Sequence, residues 1–353
     1  MNLYPLKFED NFKDKIWGGD SLGTILGRKV AKGAKVGESW ELSEHESGPS
    51  VISNGHLKGR TLSSVVAEYP SAVLGEVVAA RHKNLPLLFK FIDANDKLSI
   101  QVHPDDKYAA LHENSLGKTE AWYVVHAEKG AKLISGLAKP LTRTEVEAGI
   151  KNSSLEKLLQ EFEVKSGDCF FVPAGTVHAI ESGLIIYEVQ EVSDITYRLY
   201  DWGRVDDQGK PRDLHIEKSL KVMDFNDTEN HKTEPVVITE SWGRREIITA
   251  CEYFILYKHS ITGVNTINTS GKFKVITPLY GTVTIEYTDG SETLKQGETA
   301  LLPASLPQYR LKPFEGRAEV LVTDIPVGKD ELISELTALG VTLEQMKKLG
   351  GLL

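Results

Sequence analysis

Cysteine is scarce in this sequence. Of 353 residues only Cys169 and Cys251 are cysteines, with no CxxC spacing and too few to form a disulfide framework. That absence predicts a chain that works in a reducing cytoplasm. Basic blocks are lacking too: 41 lysines and arginines stand against 50 aspartates and glutamates, a formal net charge of −9. A nucleic-acid partner is therefore not expected, because nothing supplies the phosphate neutralisation it requires. A phosphorylated small molecule needs only a local cationic pocket and stays open. No apolar run reaches the length of a membrane span, and residues 1–30 lack the charged-then-apolar pattern of a signal peptide. Neither a membrane nor export is expected. What is present is an ordinary globular composition, 41% hydrophobic and 26% charged, over a length that suits about two domains.

Strand signals dominate the chain. The stretches LPLLFKFID (85–93), LSIQVHP (98–104), EAWYVVHA (120–127), DCFFVPA (168–174) and LIIYEVQE (184–191) are short and rich in β-branched and aromatic residues. FKVITPLYGTVTIEY (273–287), TALLPA (299–304) and AEVLVTDI (318–325) repeat that character later. Helical periodicity is confined to 61–70, 142–162, 215–223 and the tail 329–350. Many short strands at even spacing predict a barrel or sandwich rather than alternating strand–helix units.

An internal repeat favours two barrels. Shifting GDCFFVPAGTVHAI (167–180) by 130 residues lays Gly167 on Gly297, Pro173 on Pro303 and His178 on Gln308. The helical stretch 142–162 then reads as an insertion in the first copy. The second begins after the polar linker DFNDTENHKTEP (224–235). Domains of 1–235 and 236–353 are expected, the tail packing either on its own barrel or on a partner.

The candidate chemistry lies in the first copy. In LSIQVHP a period of two puts Ser99, Gln101 and His103 on one face. In KTEAWYVV the same period joins Lys118 to Glu120, and His178 follows the Pro-Ala-Gly turn. A barrel that turns these faces inward would gather two imidazoles, a carboxylate and an amide oxygen around an open cavity. Such a set suits a catalytic Zn²⁺ or a non-haem Fe²⁺. Taken singly, each histidine reads more readily as a satisfied core or turn residue than as a ligand, and Glu120 as a solvated strand end; the combination is what points to a metal. In SDITYRLYDWGR, Asp194, Thr196, Arg198 and Tyr200 share a face. Either Asp194 and Arg198 are a surface pair or, if that face looks into the barrel, Arg198 is a fixed cation above the metal.

In this order, QVHPDD, KTEAWYVV, G-x5-P-x-G-T-V-H and D-x-x-x-R resemble the short bacterial form of the type I mannose-6-phosphate isomerases, zinc enzymes of the cupin superfamily. KIWGGDSLG (15–23), GESWELS (37–43) and HIEKSLKVMDF (215–225) resemble the same family, so the likeness runs over about residues 1–325. It implies a mainly β fold of two cupin-type jelly-roll barrels, a catalytic one with a helical insertion and a second, metal-free one ending in a C-terminal helix. It implies one Zn²⁺ per chain on Gln101, His103, Glu120 and His178, with Arg198, Lys118 and Asp194 as catalytic residues. The implied reaction interconverts mannose 6-phosphate and fructose 6-phosphate through an enediolate. A cupin oxygenase and a non-catalytic sugar-phosphate binder remain the alternatives. The long enzymes of the family carry Arg-Ala-Gly-Leu where this chain has Arg198-Leu199-Tyr200-Asp201, so their phosphate contacts do not transfer.

Overall fold

The computed structural model describes residues 2–206 and 208–352. It is mainly β, and its strands fall into four sheets. In the N-terminal half a six-stranded sheet runs in the order Phe12–Gly19, Val36–Leu42, Leu87–Ala94, Leu184–Glu191, Glu120–Ala127, Cys169–Val172. Beside it, a five-stranded sheet runs Tyr197–Tyr200, Ile100–Val102, His178–Ile180, Lys132–Leu137, Leu159–Glu163. Trp17, Ile92, Trp122 and Val124 of the larger sheet share one apolar cluster with Leu133 and Ile180 of the smaller and with Leu98, just ahead of the strand Ile100–Val102. Each such side chain contributes about 1.5–3 kcal/mol when fully buried.

The C-terminal half repeats this plan. Val236–Glu240, Gly243–Ala250, Ile255–Ile261, Ala318–Asp324, Lys274–Tyr280 and Ala300–Leu302 form the larger sheet, and Asn265–Asn268, Gln308–Pro313, Val283–Tyr287 and Gly290–Leu294 the smaller. The 130-residue shift carries Cys169–Val172 onto the strand at 300–302 and His178 onto the first residue of Gln308–Pro313. Gly167 and Gly297 open the two copies of the turn at φ +95° and +75°, a conformation that side chains with a Cβ resist. The N-terminal strand Leu6–Lys7 crosses over and extends the C-terminal sheet, Leu6 lying opposite Leu301. The two larger sheets share a core that includes Phe89, Phe91, Tyr187, Phe254, Phe273 and Leu321.

The expected helix over 142–162 is corrected. Thr142 caps a helix at Arg143–Lys151 with a reciprocal Glu145 contact, but the helix stops at Asn152, and Ser153 takes φ +51°. A single 3₁₀ turn follows, and then Leu159–Glu163 becomes a strand paired with Lys132–Leu137. The reason is visible in LQEFE, whose burial alternates with period two. In the C-terminal half the matching hairpin needs only Thr288 and Asp289. The tail covers its own half of the molecule: Leu332, Leu336, Met346 and Leu349 pack on Val236, Ile247 and Ile255. Among the described residues no helix is long and apolar enough to cross a membrane. Cys169 and Cys251 are free and buried.

Candidate metal centre and active site

Strand register assembles the site. Gln101 lies opposite both His178 and Arg198, so three neighbouring strands set Arg198, Gln101 and His178 in a row. Gly175, at φ +93° in the turn before His178, donates its N–H to the His103 carbonyl at 2.9 Å, tying the turn to the end of the QVHP strand. Across the interior, Glu120 opens its strand on the larger sheet. His103, Glu120 and His178 are all buried, with ligand atoms within 4.8 Å of one another.

The hydrogen bonds of the donor set leave room for a cation. His103 Nδ1 lies 2.7 Å from the Ile195 carbonyl and His178 Nδ1 2.8 Å from the Thr176 carbonyl. A carbonyl only accepts, so each Nδ1 carries the hydrogen and each Nε2 presents a lone pair. Those two Nε2 atoms face each other at 3.2 Å. Burial drives both imidazoles toward the neutral form: His178 is lowered to about 3, and His103 falls well below its ordinary value with help from Lys118. Of the oxygens of the fully buried Glu120, Oε2 has Lys118 Nζ 2.9 Å away, and Oε1 has no hydrogen-bond donor among the described residues. Burial pushes the Glu120 carboxyl up to about 7 against that pull. Two opposed lone pairs and an under-satisfied carboxylate are what a divalent cation would resolve, and the residues fit one. Gln101 adjoins them, its amide nitrogen 3.4 Å from His178 Nε2 and its oxygen 3.3 Å from Ser99 Oγ.

Gln101 and Lys118, which adjoin His178 and His103, also line a cavity of about 420 Å³ together with Asp194, Thr196 and Arg198, among others. Arg198 donates through Nε to Ser99 Oγ at 3.2 Å and through Nη1 to the Asp213 carbonyl at 2.8 Å. Asp194 sits at the rim, 46% exposed, accepting from Ser47 Oγ at 3.1 Å with His45 Nε2 3.4 Å away. His45 thus braces the rim carboxylate. Tyr200 does not line the cavity as the alternation had it. The register slips between Arg198 and Tyr200, and Tyr200 packs against Trp202 instead.

A further set of wall residues was missed from the sequence. Lys15, Glu38, Lys90, Glu188 and Lys118 alternate in sign across the larger sheet, with Lys15–Glu38 and Lys90–Glu188 each at 3.1 Å. Burial opposes the Glu38 charge, but Lys90 and Lys15 outweigh it and hold the carboxyl at about 2. Trp122 donates to Glu188 Oε2 at 3.1 Å and stands edge-on to His178. The available signal was a charge in the middle of an apolar strand, Lys90 in LLFKFID and Glu188 in LIIYEVQE. Burial alone would lower the Lys118 amine, yet Glu120 and Glu188 overcome it and hold the amine above its ordinary value.

Two family models match the chain. Phosphomannose isomerase type I, catalytic domain, covers residues 5–130, and mannose-6-phosphate isomerase, cupin domain, covers 245–324. A mannose-6-phosphate isomerase of Bacillus subtilis is 36% identical over 331 residues, 92% of this chain and 100% of its own length. A mannose-6-phosphate isomerase of Streptococcus mutans is 35% identical over 319 residues, 90% of this chain and 98% of that protein. Among solved structures, the mannose 6-phosphate isomerase from Bacillus subtilis superposes with a TM-score of 0.84 at 32% identity, covering 92% of this chain and all of that one. With this likeness over nearly its whole length, and with the metal-binding geometry in place, the chain belongs to the type I mannose-6-phosphate isomerase family.

Proposed function

We propose that the protein interconverts mannose 6-phosphate and fructose 6-phosphate, using one Zn²⁺ held by Gln101, His103, Glu120 and His178. The observation that carries this reading is the pair of facing Nε2 lone pairs beside Glu120, next to a cavity lined by Gln101, Lys118 and Arg198. The reaction moves a proton from C2 of the open-chain aldose to C1, while O1 gains a hydrogen and O2 loses one. Its obstacle is the weak acidity of a carbon beside a carbonyl. Zn²⁺ there would polarise the substrate oxygens and, by drawing on the Glu120 charge, loosen the pairing that holds the Lys118 amine protonated.

Lys118 stands where a proton can pass to and from the reacting carbons, deep in the cavity and 3.2 Å from His103 Nε2. Asp194 is the second candidate for the base. Arg198, set beside Gln101 and without a carboxylate hydrogen-bond partner among the described residues, supplies fixed positive charge for the oxygens that become negative in the enediolate. Replacing Arg198 by alanine should lower kcat about a hundredfold or more while bound zinc stays stoichiometric. Loss of zinc from that variant would contradict the role.

The repeated sheets support two cupin barrels, 1–235 catalytic and 236–353 without a metal, with the helix Arg143–Lys151 as an insertion in the first. Register supplies the reason for the difference. Lys274 faces Leu302 as Glu120 faces Val172, and Gln308 faces Asn268 as His178 faces Gln101. An amine ion-paired with Asp324 therefore takes the place of the ligand carboxylate. The two buried thiols suit a cytoplasmic setting.

A further inference from the structure

Three consecutive amides lead into the ligand strand, and each is caught by a different acceptor. Gly117 N–H donates to Asp106 Oδ1 at 2.8 Å, Lys118 N–H to the Pro104 carbonyl at 3.1 Å, and Thr119 N–H to Glu191 Oε1 at 2.8 Å. The fit at Gly117 is close enough that a Cβ there would lie 2.5 Å from the Asp106 nitrogen. Lys118 and Glu120 flank Thr119, so the position of both side chains follows from this run.

The other oxygen of Asp106 is held from the far half of the chain. Tyr253 Oη donates to Asp106 Oδ2 at 3.2 Å. Tyr253 belongs to the tight turn between Gly243–Ala250 and Ile255–Ile261, closed by Cys251 N–H on the Phe254 carbonyl at 3.0 Å. Phe254 anchors that turn in the core shared by the two larger sheets. Burial, together with Glu191 and Asp106, raises the Tyr253 phenol, which keeps its proton and remains a donor.

We propose that Tyr253 is a positioning residue for the metal centre: through Asp106 and the Gly117 amide, the C-terminal half fixes the Lys118–Thr119–Glu120 segment. This gives the second barrel a task at the active site although it carries no metal of its own. The inference rests on the reading that Glu120 ligates the metal and Lys118 serves the reaction.

The experiment is a double-mutant cycle on the full-length chain with Tyr253→Phe and Asp106→Asn, reading Zn²⁺ affinity by competition with a chromophoric chelator and kcat at saturating zinc. Tyr253→Phe keeps the ring and its packing. It is expected to weaken zinc binding about tenfold and to lower kcat with little change in KM. Asparagine at 106 keeps an acceptor for Gly117 but turns a donor toward Tyr253. Its loss should therefore overlap with that of Tyr253→Phe, and the double variant should fall short of the sum. Wild-type zinc affinity and kcat in Tyr253→Phe, or strictly additive losses, would overturn the proposal. If the wild type fails to interconvert the sugar phosphates while zinc affinity still falls in Tyr253→Phe, the clamp stands and the proposed reaction does not.

Discussion

Replacing His178 by alanine is expected to abolish both metal binding and turnover. Its Nε2 is one of the two opposed lone pairs, and its Nδ1 is committed to the Thr176 carbonyl, so the ring is held for a single task. Without it, His103 and Glu120 are the only His or carboxylate donors left in the cluster among the described residues. Changing groups that merely orient a ligand already costs about 10–100-fold in metal affinity, so deleting a ligand should cost at least about 100-fold. Polarisation of a carbonyl by a metal is worth several kcal/mol, which corresponds to a rate loss of about 10³-fold or more. Zinc content after dialysis, measured beside the isomerase rate, checks both numbers. A variant that retains full zinc and full rate would remove His178 from the centre.

The second large effect is expected at Lys118. Methionine preserves length and apolar bulk but deletes the ammonium 2.9 Å from Glu120. Burial has already pushed that carboxyl up to about 7, and without its cationic neighbour it rises further. The sign follows directly: a higher Glu120 value means more of the protonated, non-ligating form near neutral pH, so zinc binding in the variant should weaken as the pH falls. Activity at saturating zinc should drop by about 10²–10⁴-fold, the usual worth of a positioned proton carrier. Asp194→Asn is the paired control. Its carboxylate is at the rim, 46% exposed and engaged with Ser47, so a loss of no more than about tenfold is expected. Solvent deuterium incorporated at the transferred position distinguishes the two. If Asp194→Asn stops exchange while Lys118→Met retains it, the assignments reverse.

Much of this was legible in the sequence because it is local. Period two in LSIQVHP and KTEAWYVV places Ser99, Gln101 and His103 together and Lys118 beside Glu120, and their contacts follow. The Gly-x5-Pro frame fixed the repeat, since both glycines need a positive φ and both lead into equivalent strands. What escaped depends on partners far along the chain. Leu159–Glu163 is a strand because Lys132–Leu137 offers it an edge, a preference that overrides the helical spacing of its leucines. Lys90 and Glu188 became legible as site residues only once the pairing of Leu87–Ala94 with Leu184–Glu191 set them side by side. Burial by itself would lower the Lys118 amine, and only the pairing that brings Glu120 and Glu188 beside it shows why it is raised instead. Tyr253 lies 147 residues from Asp106, and no spacing rule connects them.

The most direct test of the account is a coupled assay for fructose 6-phosphate formed from mannose 6-phosphate, run on the protein as purified, after chelation, and after Zn²⁺ is restored. The account predicts activity that disappears with the metal and returns with zinc. A zinc-loaded protein that forms no fructose 6-phosphate would contradict it.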